Sequence, residues 1–88
     1  MNFIERYDRL ARIAQLIQFE KTGSLEEFAK KCDLKKDALF DQIEILRQFA
    51  ARESAEIIFN RDKNTYCFYP YGRFSDFKFT TNNNQSNA

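Results

Sequence analysis

The feature that most limits what this chain can fold into is a change of hydrophobic period near residue 55. Upstream, apolar residues recur at spacings of three and four; downstream they alternate, so helices come first and strands afterwards. Ile4, Tyr7, Leu10, Ala14 and Ile17 form the stripe of an amphipathic helix over 2–20, a stretch without Gly or Pro. Lys21-Thr22-Gly23 closes it, with Gly23 suited to a left-handed conformation. Ser24 followed by Glu27 is a capping-box pattern that opens a short second helix, with Leu25, Phe28, Ala29 and Cys32 inward. Beyond a break at Asp33-Leu34, the spacing predicts a third helix over 35–50. Its inward residues are Leu39, Ile43, Leu46 and either Phe49 or Ala50.

Past the change of period, Glu56-Ile57-Ile58-Phe59 and Thr65-Tyr66-Cys67-Phe68-Tyr69 are β-branched and aromatic, and Asn60-Arg61-Asp62-Lys63-Asn64 joins them. That is a hairpin. Pro70-Tyr71-Gly72-Arg73 reads as a second break, and Ser75-Asp76-Phe77-Lys78-Phe79 as a third strand or an aromatic flap. From Thr81 to Ala88 the chain is polar and low in complexity, the composition of a flexible tail. The expected organisation is an α+β domain over 1–80 and a tail over 81–88.

Composition excludes several classes. A chain of 88 residues builds one small domain, and 43% hydrophobic with 31% charged residues is the balance of a globular one. Neither a signal peptide nor an apolar run of the ~20 residues needed to span a bilayer is visible, so the reading is a cytoplasmic chain without a membrane partner. Two cysteines, Cys32 and Cys67, are too few for a disulfide framework and read as structural. The absence of histidine removes the usual zinc patterns and the commonest general base. The sequence therefore predicts no enzyme, no cofactor, no metal and no small-molecule substrate. Asp37, Asp41 and Glu44 read as a solvated helix face, not as catalytic carboxylates.

Two helices that cross at a tight turn need a small residue where they touch and apolar plugs that fix the crossing. Ala29 fills the first role, Leu34 and Leu39 the second. With that local logic, Phe28-Ala29-Lys30-Lys31-Cys32-Asp33-Leu34-Lys35-Lys36-Asp37-Ala38-Leu39, followed by a hairpin, resembles the winged helix-turn-helix domains of short, single-domain bacterial regulators. Tyr7-Asp8-Arg9-Leu10, Lys21-Thr22-Gly23-Ser24 and Tyr66-Cys67-Phe68-Tyr69 add to the likeness, which covers residues 3–80. The resemblance implies a small transcriptional regulator on double-stranded DNA, with the third helix in the major groove and the hairpin as wing. It places Lys35, Lys36, Ala38, Asp41 and Gln42 at the bases, and Arg61 and Lys63 on phosphates. Three positions depart from the pattern. Asp33 stands where Gly is usual, and Lys35 where Ser or Thr commonly caps, which makes Asp33 the expected substitute cap. Asp41 stands where a basic or neutral residue is common.

Charge opposes the resemblance. Residues 21–47 hold six basic groups (Lys21, Lys30, Lys31, Lys35, Lys36, Arg47) and six acidic ones (Glu26, Glu27, Asp33, Asp37, Asp41, Glu44). Affinity for DNA comes largely from phosphate neutralisation, so a binder shows a basic footprint. Here one arises only if Arg61 and Lys63 fold beside Lys35 and Lys36. Phe74, Phe77 and Phe79 are compatible with base stacking, and more so with a core on one face and a partner surface on the other. Phe77 and Phe79 are the candidates for a homodimer contact. The reading is a DNA-binding module, and the alternative is a winged-helix protein–protein interaction or dimerisation module without DNA binding. The net charge of the surface formed by the third helix and the hairpin tip separates them.

Overall fold

Short polar side chains start the first two helices. Asn2 caps α1 (Phe3–Gln18) by accepting from the Glu5 N–H at 2.8 Å, and Ser24 caps α2 (Leu25–Cys32) by accepting from the Glu27 N–H at 3.2 Å. Both boxes close in reverse: the Glu5 carboxylate accepts from the Asn2 N–H and the Glu27 carboxylate from the Ser24 N–H. The first of these boxes was not expected from the sequence. In this computed structural model, which describes residues 2–81, α3 spans Lys36–Ala51 with Lys35 at the N-cap and no side-chain cap bond. Asp33 does not substitute. It ends α2 instead, in the left-handed region at φ 55°.

All three helices end the same way. Glu20, Asp33 and Ser54 each take a positive φ, and the next residue's N–H reaches back over a full turn: Lys21 to Leu16 O, Leu34 to Ala29 O, Ala55 to Ala50 O. These are Schellman ends, and none carries the usual glycine. Glu20 therefore closes α1 in place of Gly23. Gly23, at φ 71°, has a different duty, because a Cβ there would collide with the Glu27 side chain of the capping box.

Two antiparallel hairpins follow the helices. β1 (Glu56–Asn60) pairs with β2 (Thr65–Tyr69) in the register Glu56↔Tyr69 to Asn60↔Thr65, which is the expected hairpin with Asn60 in the strand and not in the turn. A cis Tyr69–Pro70 bond leads into the second hairpin, β3 (Gly72–Ser75) with β4 (Lys78–Thr81). Here the expectation is corrected. Gly72 and Arg73 lie in a strand, not a break, and Asp76-Phe77 is a two-residue turn with φ 52° and 62°, not the middle of a strand. Positive φ at both central residues is the signature of a type I′ turn, which normally takes Asn-Gly. Thr81 closes β4 opposite Gly72; the remainder of the expected tail, 82–88, lies outside the described residues.

The core is one cluster. Ile13, Ala14 and Ile17 of α1, Phe28 and Ala29 of α2, and Leu39, Ile43, Leu46 and Ala50 of α3 are all buried. Ile57 and Phe68 of the first hairpin and Phe74 and Phe79 of the second complete it, with the Phe68 and Phe79 rings 4.6 Å apart. Two expectations fall. Ile4 is 68% exposed, whereas Ile13, one residue before Ala14, is fully buried. Phe79 is 3% exposed, so it is core and offers nothing to a partner. A polar pair also enters the interior. Thr22, between α1 and α2, and Thr65 of β2 are both buried, with their hydroxyls 3.0 Å apart. The Thr22 hydroxyl accepts from the Tyr66 N–H at 2.8 Å, and Thr65 Oγ1 accepts from the Thr22 N–H at 3.1 Å. Both hydroxyls of this latch find partners, which is what a buried hydroxyl requires.

Candidate functional site

Helical periodicity divides the seven residues of the expected DNA face. Residues three or four apart share a face of a helix, and residues six apart do not. Lys36 lies on the flank of α3 that also carries Arg47, whose guanidinium donates to the Ile57 carbonyl of β1 at 2.7 Å. Ala38 and Gln42, both half-buried, lie on the opposite flank with Ile45 and Phe49, toward α1. Asp37 and Asp41 lie between the flanks and are exposed. The base-facing set is thus dispersed, and Gln42 turns into a groove beside α1.

Arg61 and Lys63 are exposed at the tip of the first hairpin, but the tip's side-chain contacts run to the α1–α2 junction. The Lys63 ammonium lies 3.0 Å from the Glu20 carboxylate, whose hydrogen bond holds the lysine above its ordinary pKa. The Asn64 amide donates to Glu27 at 3.4 Å. Near the start of α3, Lys36 pairs with Glu26 at 3.7 Å. Exposed on α3 and the tip are Lys35, Lys36, Arg61 and Lys63 against Asp37, Asp41, Glu44 and Asp62. Four charges meet four. The basic footprint that the resemblance needs is not assembled.

A groove of about 530 Å³ lies elsewhere, between the first half of α1 and the second half of α3. Phe3, Arg6, Tyr7, Arg9 and Leu10 form one wall; Gln42, Ile45 and Phe49 form the other. Phe77, at the turn of the second hairpin, closes one end. Its ring stacks on Phe3 with centroids 5.8 Å apart and sits 4.1 Å from Tyr7, and its N–H donates to the Tyr7 hydroxyl at 3.4 Å. Tyr7 and Phe49 both pack on the buried Phe74 beneath. Even so, Phe3 remains 68% exposed, Phe77 49% and Ile45 39%. Apolar rings left this open mark binding surfaces more often than isolated exposed side chains do. Among the described residues, Arg6, Arg9 and Asp41 join no ion pair.

Sequence reasoning missed this groove. The signal was present in Phe3, Tyr7 and Leu10, spaced by four and three, with Ile45 and Phe49 one turn apart on α3. What the sequence does not carry is the placement of α1 against α3 that leaves the stripe half covered. Both cysteines are free, Cys67 buried and Cys32 half-buried, and burial pushes the two thiols above their ordinary pKa. Compared with family models, curated proteins and solved structures, the chain matches none. Its class is therefore defined by its fold, which over the described residues is an α+β arrangement of three helices and two antiparallel hairpins. No described helix is long and apolar enough to cross a membrane.

Proposed function

We propose that this chain is a protein-interaction module on a winged-helix-like arrangement, and that the α1–α3 groove is its binding face. The carrying observation is the groove itself, where Phe3, Ile45 and Phe77 stay exposed around an apolar hollow. Burying one such side chain contributes about 1.5–3 kcal/mol, so a few anchors suffice for a specific complex. Arg6 and Arg9 on the rim favour a partner that brings carboxylates. The balanced charge of α3 and the hairpin tip weighs against duplex DNA as that partner.

A second reading, a small transcriptional regulator, keeps the support of one observation. The α2–α3 junction has only Asp33, Leu34 and Lys35 between helices, with Ala29 buried where they meet. Under that reading Lys35, Lys36, Ala38, Asp41 and Gln42 face bases, and Arg61 and Lys63 touch phosphates.

One pair of titrations tests both. An environment-sensitive apolar dye should bind the wild-type protein and lose its signal with Ile45→Asp, while a labelled random duplex at ~50 mM salt shows no saturable binding. Duplex binding in the micromolar range would overturn the interaction reading. It would be decisive if Arg61→Ala with Lys63→Ala flattened the log–log salt slope by about two.

A further inference from the structure

The lining of the groove is charged on one wall only. Arg6 and Arg9 of α1 are its charged side chains, whereas Gln42, Ile45 and Phe49 of α3 form a neutral wall. The two arginines stand one turn apart and lie to the same side of the Phe3, Tyr7 and Leu10 stripe. Neither joins an ion pair among the described residues, and Arg9 is half-buried. A partly buried charge is screened less by salt than an open one, so a carboxylate brought to Arg9 gains more than at the free surface. The backbone around the groove sets the shape of the occupant. None of the lining residues belongs to a strand: α1 and α3 form the walls, and Phe77 sits in a turn. An extended peptide binds by adding its own amides and carbonyls to a strand edge, and here it would leave them unpaired. A helix satisfies its backbone internally and asks only for side-chain contacts. From Phe3 to Leu10, and from Gln42 to Phe49, each wall covers two helical turns, about 10 Å.

We propose that the groove takes an amphipathic helix of a partner protein, with apolar anchors at i, i+3 or i+4 and i+7, and with carboxylates one turn apart along the flank that faces α1. This rests on the interaction reading and names the partner's chemistry. Anchors at that spacing span two turns, the length of the walls. Carboxylates three or four residues apart on the partner match the one-turn spacing of Arg6 and Arg9. The neutral α3 wall decides which flank bears them. The same asymmetry gives discrimination: a helix with the same apolar stripe but lysines on that flank meets like charge, and is rejected.

A displayed library of random peptides tests the proposal, selected on the full chain and counter-selected on Ile45→Asp. Enriched peptides should carry apolar residues at helical spacing, with Asp or Glu one turn apart on one flank. The strongest of them, labelled and followed by fluorescence anisotropy, should bind Arg6→Glu with Arg9→Glu at least about tenfold more weakly than wild type. Its counterpart with lysine at the acidic positions should lose the wild type and regain the doubly reversed protein. An uncharged apolar dye should bind both proteins alike, which shows that the groove itself is intact. Circular dichroism melts confirm that the variants are folded; if the double reversal is not, Arg6→Gln with Arg9→Gln replaces it, with a smaller loss expected. Enriched peptides that are extended, basic or without acidic bias overturn the acidic-helix proposal, and dye binding then leaves the interaction reading standing. Affinity indifferent to both arginine changes, or a library from which nothing is enriched over Ile45→Asp, overturns it in the same way. A wild type that fails to bind the dye removes the interaction reading beneath it.

Discussion

The two hairpins use their turns in opposite ways. β1–β2 has a four-residue polar turn, 61–64, whose side chains fold back to Glu20 and Glu27, with Thr22 and Thr65 latched just behind it. β3–β4 has a two-residue turn that holds Phe77 in a left-handed conformation, and lays the ring half exposed over the start of α1. A bulky residue at positive φ costs about 1–2 kcal/mol. The polar turn, which resembles a wing in sequence, is occupied within the molecule; the aromatic turn, which resembles a strand, borders the open surface. Likeness in sequence and availability in space thus point to different hairpins.

The sharpest way to break this comparison is at the two phenylalanines of the second hairpin. Phe79→Ala empties a site against Phe68 and should cost about 3–5 kcal/mol in urea unfolding. Phe77→Ala, at a half-exposed ring, should cost far less. Equal losses would mean that the turn is core and not surface. At the first hairpin, Thr22→Val keeps the shape but leaves the Tyr66 N–H without its acceptor, for about 1–3 kcal/mol. A neutral result there would deny the latch its part in holding the hairpin. The smallest effect should come from replacing Asp76-Phe77 by Asn-Gly, which relieves the left-handed strain and should raise stability by about 1 kcal/mol. The same variant should bind the apolar dye less well. If it melts earlier, the ring's packing on Phe3 and Tyr7 outweighs the strain.

Much of the fold was legible because its determinants are local. The Ser24 and Glu27 box, the inward spacing of Leu39, Ile43 and Leu46, and the polar loop between two aromatic strands each sit within a few residues of one another. The second hairpin was hidden because its turn lacks the glycine that normally announces one, so Ser75 to Phe79 read as plain alternation. For the same reason the left-handed residue that closes α1 was placed at Gly23 and not at Glu20. The site was less legible than the fold. Lys36 and Gln42 look like neighbours in a basic, polar run, yet helical geometry sends them to opposite flanks. The hollow beside Gln42 depends on how far α1 leans from α3, which no local pattern records.

The Thr22–Thr65 latch joins residues 43 positions apart in the chain. The segment between α1 and α2 has its own amide bonded into that knot, and so does the start of β2. Neither can open without stranding the other's buried hydroxyl, so the two should breathe as one unit in native-state hydrogen exchange. Thr22 and Tyr66 amides would then exchange with a common opening free energy, and the amides of β4, across the molecule's other hairpin, with a separate and lower one. Seen in time and not in space, this domain then has a slow part that includes all of the polar turn and a fast part that borders the groove.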